Sequence, residues 1–233
     1  MDIDMRCLRW AKVDVGADCG NLLLNEDVRS KLWANVCSVM GVEEDTGELP
    51  VPLAHNVEEN KNYKFVCGGG YMYGGDIPHA ETVILYMTKI HNFRMCFMIR
   101  SHIDIVLLSV SMPNYLFGDG GSVFEARMYL DYATDTFTMM LQDVYMCKGS
   151  NTREYPFNIR CVMLYSIAVQ CPEEGTKAFK IISTTYKHTV PPMYLPQEDE
   201  YPRYRLVNIS SVPVGLEHNG EFFMSTDKYE PSS

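Results

Sequence analysis

Residues 82–110 read TVILYMTKIHNFRMCFMIRSHIDIVLLSV, three apolar runs separated by short polar breaks. The runs are Thr82–Thr88, Arg94–Ile99 and Ile103–Val110, and each is rich in β-branched or large apolar residues. Runs of this composition predict β-strands. Because the breaks between them are short, we expect three adjacent antiparallel strands in one sheet.

The rest of the chain adds strands and two helices to this sheet. Further strands are predicted at residues 123–132, 136–146, 179–185, 206–212 and 221–225. A helix is predicted from Asn25, whose side chain can cap it, to Gly41, and a second helix at residues 157–169. We therefore predict an α+β fold of antiparallel β-sheets flanked by helices, in a single domain spanning residues 1–233.

The net charge of the chain favours some classes of binding partner over others. It has 20 basic and 30 acidic residues and a formal net charge of −10. Proteins that grip nucleic acid through its phosphates present a basic face, so no DNA partner is expected. An acidic surface suits a protein partner, or a small anionic ligand held in one basic pocket.

The first residues of the chain indicate where in the cell the protein is expected, and its cysteines indicate whether a zinc site is expected. The first four residues include two acids, no apolar leader follows, and no run reaches the length of a membrane helix. We therefore expect an intracellular protein, cytoplasmic or nuclear, that is not secreted and has no membrane partner. The 8 cysteines form no CxxC pair, so free thiols are predicted rather than a zinc site or a disulfide framework.

Four short segments carry charged or polar residues in a suggestive order. YMTKIHNFR holds Lys89 and Arg94, SVFEARMYLD holds Glu125 and Arg127, LQDVYMCKG holds Asp143, and HNGEFF holds Asn219. Their order and spacing, over roughly residues 80–226, resemble the nucleotidyltransferase domain shared by mRNA capping guanylyltransferases and ATP-dependent ligases. In that family a strand ends in K-x-D-G-x-R, and its lysine forms a covalent bond to a nucleotide.

The resemblance implies a role for each of these residues. Lys89 corresponds to the catalytic nucleophile that attacks the α-phosphate. The nucleotide-binding positions implied by the resemblance are Arg94, Glu125, Arg127, Asp143 and Asn219. An active enzyme of this family would use GTP with Mg²⁺ or Mn²⁺, and no resident metal is expected otherwise.

The chain also departs from the family pattern in ways that matter for phosphoryl transfer. His91 and Asn92 replace the Asp-Gly of the lysine motif, and Arg127 places a positive charge where a glutamate holds sugar and metal. The family has an aromatic residue before the aspartate that corresponds to Asp143, and here that position is Gln142. The closing K-x-K strand and the C-terminal OB-fold domain of the family have no counterpart in this sequence. These losses predict a catalytically degenerate protein.

The main hypothesis is therefore a guanylyltransferase-like binding or scaffold subunit linked to mRNA capping or transcription. Its expected partners are a capping enzyme or RNA polymerase subunit, or GTP, a cap or an RNA 5′ end. One alternative is an active guanylyltransferase that uses Lys89, and another is an unrelated acidic protein-interaction domain, such as a viral accessory factor. Under a structural interpretation, Glu125 and Asp143 bridge basic neighbours and Arg160 anchors its helix to the sheet.

Overall fold

A computed structural model of the chain describes residues 8–15, 18–44, 47, 63–67, 81–109, 112–118, 120–131, 136–171, 179–183, 186–188, 203–208 and 222–225. Within them the helices are α1 (Glu26–Met40), α2 (Phe157–Val169) and a short 3₁₀ helix at Asn114–Phe117. The strands, in chain order, are β1 (Trp10–Val15), β2 (Asp18–Leu23), β3 (Tyr63–Cys67), β4 (Glu81–Ile90), β5 (Phe93–Ile99), β6 (Ile105–Leu108), β7 (Ser122–Asp131), β8 (Thr136–Cys147), β9 (Ser150–Asn151), β10 (Phe179–Ser183), β11 (Tyr186–His188), β12 (Arg203–Asn208) and β13 (Phe222–Ser225).

Nine strands form the main sheet. Their order is β1-β2-β6-β5-β4-β7-β8-β10, and β9 pairs with β8. Every neighbouring pair is antiparallel except β8 and β10, which are parallel. A parallel pair needs a long crossover, and α2 lies in the connection between β8 and β10.

Helix α1 begins and ends where the sequence predicts. The side-chain oxygen of Asn25 accepts a hydrogen bond from the backbone N–H of Val28 at 3.0 Å, and Glu26 and Asp27 lie in the positive first turn. Gly41 ends the helix with φ of 72°, a left-handed conformation that a residue with a side chain adopts at a cost. A Cβ atom there would also meet the guanidinium group of Arg153.

The two helices cover opposite faces of the sheet, and each face has its own core. On one face α1 packs against alternate residues of the central strands, including Ile84, Tyr86 and Phe97. On the other face Leu164 and Ile167 of α2 join a core that includes Val83, Leu85, Met87, Met98, Phe124 and Leu141. Both faces of β4 and β5 are therefore buried, which explains their nearly continuous apolar sequences.

A second, four-stranded sheet has the order β11-β3-β12-β13. All its pairs are antiparallel. Strands β12 and β13 correspond to the strands predicted at residues 206–212 and 221–225, with β12 beginning earlier, at Arg203. Their predicted addition to the sheet of the central strands is wrong, because they pair within this second sheet.

The predicted α+β class, with antiparallel sheet and flanking helices, is confirmed. The helix predicted at residues 157–169 has those bounds. The strand predicted over Ile103–Val110 is shorter, because the backbone N–H of Asp104 binds both oxygens of Ser101 in a turn and leaves Ile103 64% exposed. Strands β1, β2, β3, β9 and β11 were not predicted. A single domain over residues 1–233 stays a prediction.

Candidate functional site

The neighbouring strands β7 and β8 hold a buried cluster of polar side chains. Glu125 and Asp143 are Cα partners in the ladder, and both side chains are fully buried. Arg127, two residues further along β7, is also buried, with 3% exposure. The structure therefore brings together three of the residues that the resemblance singles out.

Glu125 is engaged with a neighbouring tyrosine. The hydroxyl of Tyr145 donates a hydrogen bond to Oε2 of Glu125 at 2.7 Å, and Tyr145 is itself fully buried. A buried carboxyl group must find such donors because water cannot solvate it. This contact ties β8 to β7 within the core and gives Glu125 a structural partner.

Asp143 is engaged with α2. Its two carboxylate oxygens accept hydrogen bonds from Nε of Arg160 at 2.7 Å and from Nη2 at 3.2 Å, a bidentate pair. The backbone N–H of Val144 also donates to Oδ1 of Asp143 at 2.7 Å, and Nη1 of Arg160 donates to the carbonyl oxygen of Tyr155. Arg160 thus anchors α2 to β8, the role that the structural interpretation gave it.

Irregular pairing between β7 and β8 accompanies this cluster. The register shifts between Val123 and Phe124 and again between Glu125 and Ala126. The second shift leaves Gln142 as an extra residue of β8, as in a β-bulge. Gln142 is fully buried, and neither of its amide atoms has a hydrogen-bond partner among the described residues. Nothing in the sequence predicted this buried amide, whose desolvation costs about 1–3 kcal/mol.

Lys89 and Arg94 lie in a different environment, at the turn end of the β4–β5 hairpin. They are Cα partners, and both side chains are exposed. The turn between them contains His91, with φ of 49°, and Asn92. In the family motif the glycine stands at the position of Asn92, so a positive φ would be expected there. The structure has the positive φ at His91 instead.

The hairpin end does not share a cleft with Glu125. Ile84 of β4 is the Cα partner of Glu125, so Lys89 lies five residues along β4 from that pair, about 17 Å at 3.3–3.4 Å per residue. Side chains alternate along a strand, which places Lys89 on the face of Met87 and Glu125 on the face of Ile84. The structure thus separates Lys89 from Glu125 by both distance and face.

Arg94 lines an open groove of about 470 Å³ at the same end of the sheet. The other lining residues come from β2, β5, β6 and the segment after β6: Asn21, Cys96, Leu107, Leu108, Ser109, Met112, Asn114 and Phe117. The sequence gives no sign of this groove, because the residues of its walls are far apart in the chain. The pKa of the Cys96 thiol is raised to about 12 by burial, so the thiol is neutral.

The remaining expectations about ligands concern Asn219 and a divalent cation. Asn219 lies outside the described residues. Among the described residues, no group of three or more His, Cys, Asp or Glu side chains is arranged to hold a metal ion. Glu125 and Asp143 are occupied by Tyr145 and Arg160, so these residues do not fit the Mg²⁺ or Mn²⁺ that an active guanylyltransferase would need.

Comparison with known proteins adds no relative. No protein-family model matches the chain, and no curated protein matches it. The resemblance to capping guanylyltransferases therefore rests on the four sequence segments quoted above. No helix in the part of the chain that the structure describes is both long and apolar enough to cross a membrane.

Proposed function

We propose that this protein is a catalytically degenerate relative of the capping guanylyltransferases that acts as a binding or scaffold subunit. In this role it holds a guanine nucleotide, a cap or an RNA 5′ end, or it docks a capping enzyme or RNA polymerase subunit. The nucleotidyltransferase-like fold is part of the same proposal. The order of the sequence motifs supports the kinship.

One observation carries the non-catalytic part of the proposal. The two carboxylates that would serve a metal–nucleotide complex, those of Glu125 and Asp143, are buried and bonded to Tyr145 and Arg160. Catalysis by this family needs positive charges and carboxylates gathered around one phosphate. Lys89 lies about 17 Å along β4 from the residue that pairs with Glu125, too far away to join these carboxylates.

Nucleotide labelling tests the non-catalytic part. The purified chain is incubated with α-³²P-labelled GTP and Mg²⁺ or Mn²⁺, and protein-bound label is measured after denaturation. We expect no labelled protein, with an active guanylyltransferase as the positive control. Label that appears with the wild type and disappears with Lys89→Ala would establish the alternative, an active enzyme with Lys89 as nucleophile.

The outer face of α2 favours the protein-docking form of the proposal. Ile159, Val162, Tyr165 and Val169 are 45%, 61%, 64% and 66% exposed, and they recur at helical spacing. The one charged residue of α2, Arg160, points inward. A helix that is apolar on all sides is normally covered on all sides.

Co-purification tests this form. The chain is mixed with purified capping enzyme or RNA polymerase subunits, and Val162→Glu is compared with Ser30→Glu, which adds the same charge at an exposed serine of α1 on the opposite face of the sheet. We expect Val162→Glu to weaken capture of a subunit by about tenfold, because burying one unpaired charge costs more than 1.4 kcal/mol. Equal capture by both variants contradicts docking through α2.

A further inference from the structure

Strand β6 is shorter than its two neighbours in the sheet. It ends at Leu108, the partner of Cys96, whereas β5 begins earlier, at Phe93, and is paired there only with β4 among the described strands. On its other side β6 pairs with Asn21 and Leu22 of β2. The end of β6 therefore leaves a notch between β2 and β5, which are two strand spacings, about 10 Å, apart.

The walls of this notch are the residues of the groove described above. The smaller, apolar part of its wall comes from Leu108, Met112 and Phe117, buried core residues that reach its surface. The polar lining residues include Asn21, Asn114 and Arg94. A volume of about 470 Å³ lies within the range of small-molecule sites.

The charge of the notch is opposite to that of the whole chain. Acidic residues outnumber basic residues by 30 to 20 in the sequence, yet none of the described lining residues is acidic and one is arginine. Lys89 lies directly opposite Arg94 on the same face of the hairpin, an arrangement in which like charges repel. Two ion pairs among the described residues are Arg100–Asp104 and Arg160–Asp143, and neither includes Lys89 or Arg94.

A third cation stands beside the same 3₁₀ helix. Nζ of Lys148 lies 4.4 Å from the centre of the Tyr115 ring, and Tyr115 is flanked by the lining residue Asn114. The neutral thiol of the lining residue Cys96 brings no negative charge to the notch. Positive charge near an apolar wall attracts an anion that has an apolar part.

We propose that this notch binds a small ligand in which a phosphate or carboxylate group is attached to an apolar body. The guanidinium group of Arg94 pairs with the anionic group, Lys89 supplies a second positive charge at the mouth, and Met112 and Phe117 contact the apolar body. The site goes beyond the proposed function, because it does not depend on kinship with capping enzymes. It also lies away from Glu125 and Asp143.

A titration followed by amide NMR tests this site on the full chain. The probes are phenyl phosphate, inorganic phosphate, benzoate and GTP. We expect saturable shifts centred on Arg94, Ser109 and Asn114, with phenyl phosphate or benzoate binding more tightly than inorganic phosphate because the notch has an apolar wall. Which of the two organic probes binds tells a phosphate ligand from a carboxylate ligand, and saturation by GTP would add nucleotides to the ligand class.

Variants separate the charge from the shape of the notch. Arg94→Gln should weaken binding of the best probe by about tenfold, and Lys89→Gln by about twofold to threefold. Lys31→Gln is the matched control, since it removes an exposed lysine of α1 on the opposite face, and it should leave the dissociation constant unchanged. Ser109→Trp should abolish binding by filling the notch while it keeps every charge.

The proposal is overturned by either of two results. One is the absence of saturable shifts with phenyl phosphate, benzoate and GTP up to about 10 mM, where a dissociation constant of about 1 mM is easily seen. The other is equal affinity of Arg94→Gln and Lys31→Gln, a comparison that holds even if Ser109→Trp fails to fold. Both results are independent of nucleotide labelling, which tests the non-catalytic proposal separately.

Discussion

The β7–β8 ladder and the β4–β5 hairpin lie side by side in one sheet, yet their charged residues are in opposite environments. In the ladder, Glu125 and Asp143 are fully buried and bonded to partners from the same fold. At the hairpin end, Lys89 and Arg94 are exposed and face each other with the same charge. Residues of one sequence pattern are thus divided between a structural cluster and an accessible surface.

The comparison shows which charged residues can bind a ligand from solution. A buried ion pair with ideal geometry holds the fold together, and breaking it is far more costly than making it is favourable. An exposed cation contributes little to stability, but it remains free to meet an anion from solution. Stability should therefore depend on the ladder, and ligand binding on the hairpin.

The largest effect is expected for Asp143→Ala. This change removes the carboxylate that pairs with the fully buried guanidinium group of Arg160. The free energy of unfolding, measured by urea denaturation, should fall by about 3–5 kcal/mol. In the control, Asp104→Ala removes the half-exposed partner of Arg100 and should cost no more than about 1 kcal/mol. Equal losses of stability in the two variants would contradict the difference that we infer between buried and exposed charges.

A smaller loss is expected for Tyr145→Phe. The variant keeps the ring in the core and removes the hydroxyl that donates to Glu125 at 2.7 Å. The free energy of unfolding, measured in urea, should fall by about 1–3 kcal/mol, because a buried carboxyl group loses a hydrogen-bond donor. Tyr165→Phe, at a position 64% exposed, is the matched control and should change stability by less than about 0.5 kcal/mol. No loss in Tyr145→Phe would show that this hydrogen bond does not stabilise the ladder.

Alkaline pH tests the burial of Cys96, which lines the notch. Burial raises the pKa of the Cys96 thiol from 9.0 to about 12, so above pH 9 the unfolded chain loses this proton while the folded chain keeps it. The contribution of Cys96 to the free energy of unfolding is thus fully present below pH 9 and is lost as pH rises. At pH 10 this loss is about 1.4 kcal/mol. Unfolding free energies at pH 8 and pH 10 should show a smaller fall in Cys96→Ala than in the wild type. Parallel falls would mean that the thiol is not shielded from water.

The smallest effect is expected for Lys89→Ala. Its side chain is exposed and opposite Arg94, so the free energy of unfolding should change by less than about 0.5 kcal/mol. Leu85→Ala, on the same strand and the same face but fully buried, should cost about 2–5 kcal/mol. A large loss in Lys89→Ala would place this lysine in the structural group with Asp143.

The sequence by itself determined the local elements with strong periodicity or clear end signals. Asn25 and Gly41 marked α1, and the dense apolar runs marked β4 and β5. It also placed Glu125 and Arg127 on one face of β7, because side chains alternate along any strand. Strands β1 and β2, WAKVDV and DCGNLL, gave no such signal, since β2 is positioned by pairing with β6, which is distant in the chain.

Only the tertiary structure decided which charged residues are buried and which are available. The pairing of Asp143 with Arg160 joins a strand to a helix, and the notch beside Arg94 is formed by segments that include Asn21 and Asn114. Burial and proximity between distant segments follow from the packing of the whole sheet, which residue order does not encode locally. The order of charged residues therefore suggested one shared site, and the packing divided it between a buried cluster and an exposed hairpin end.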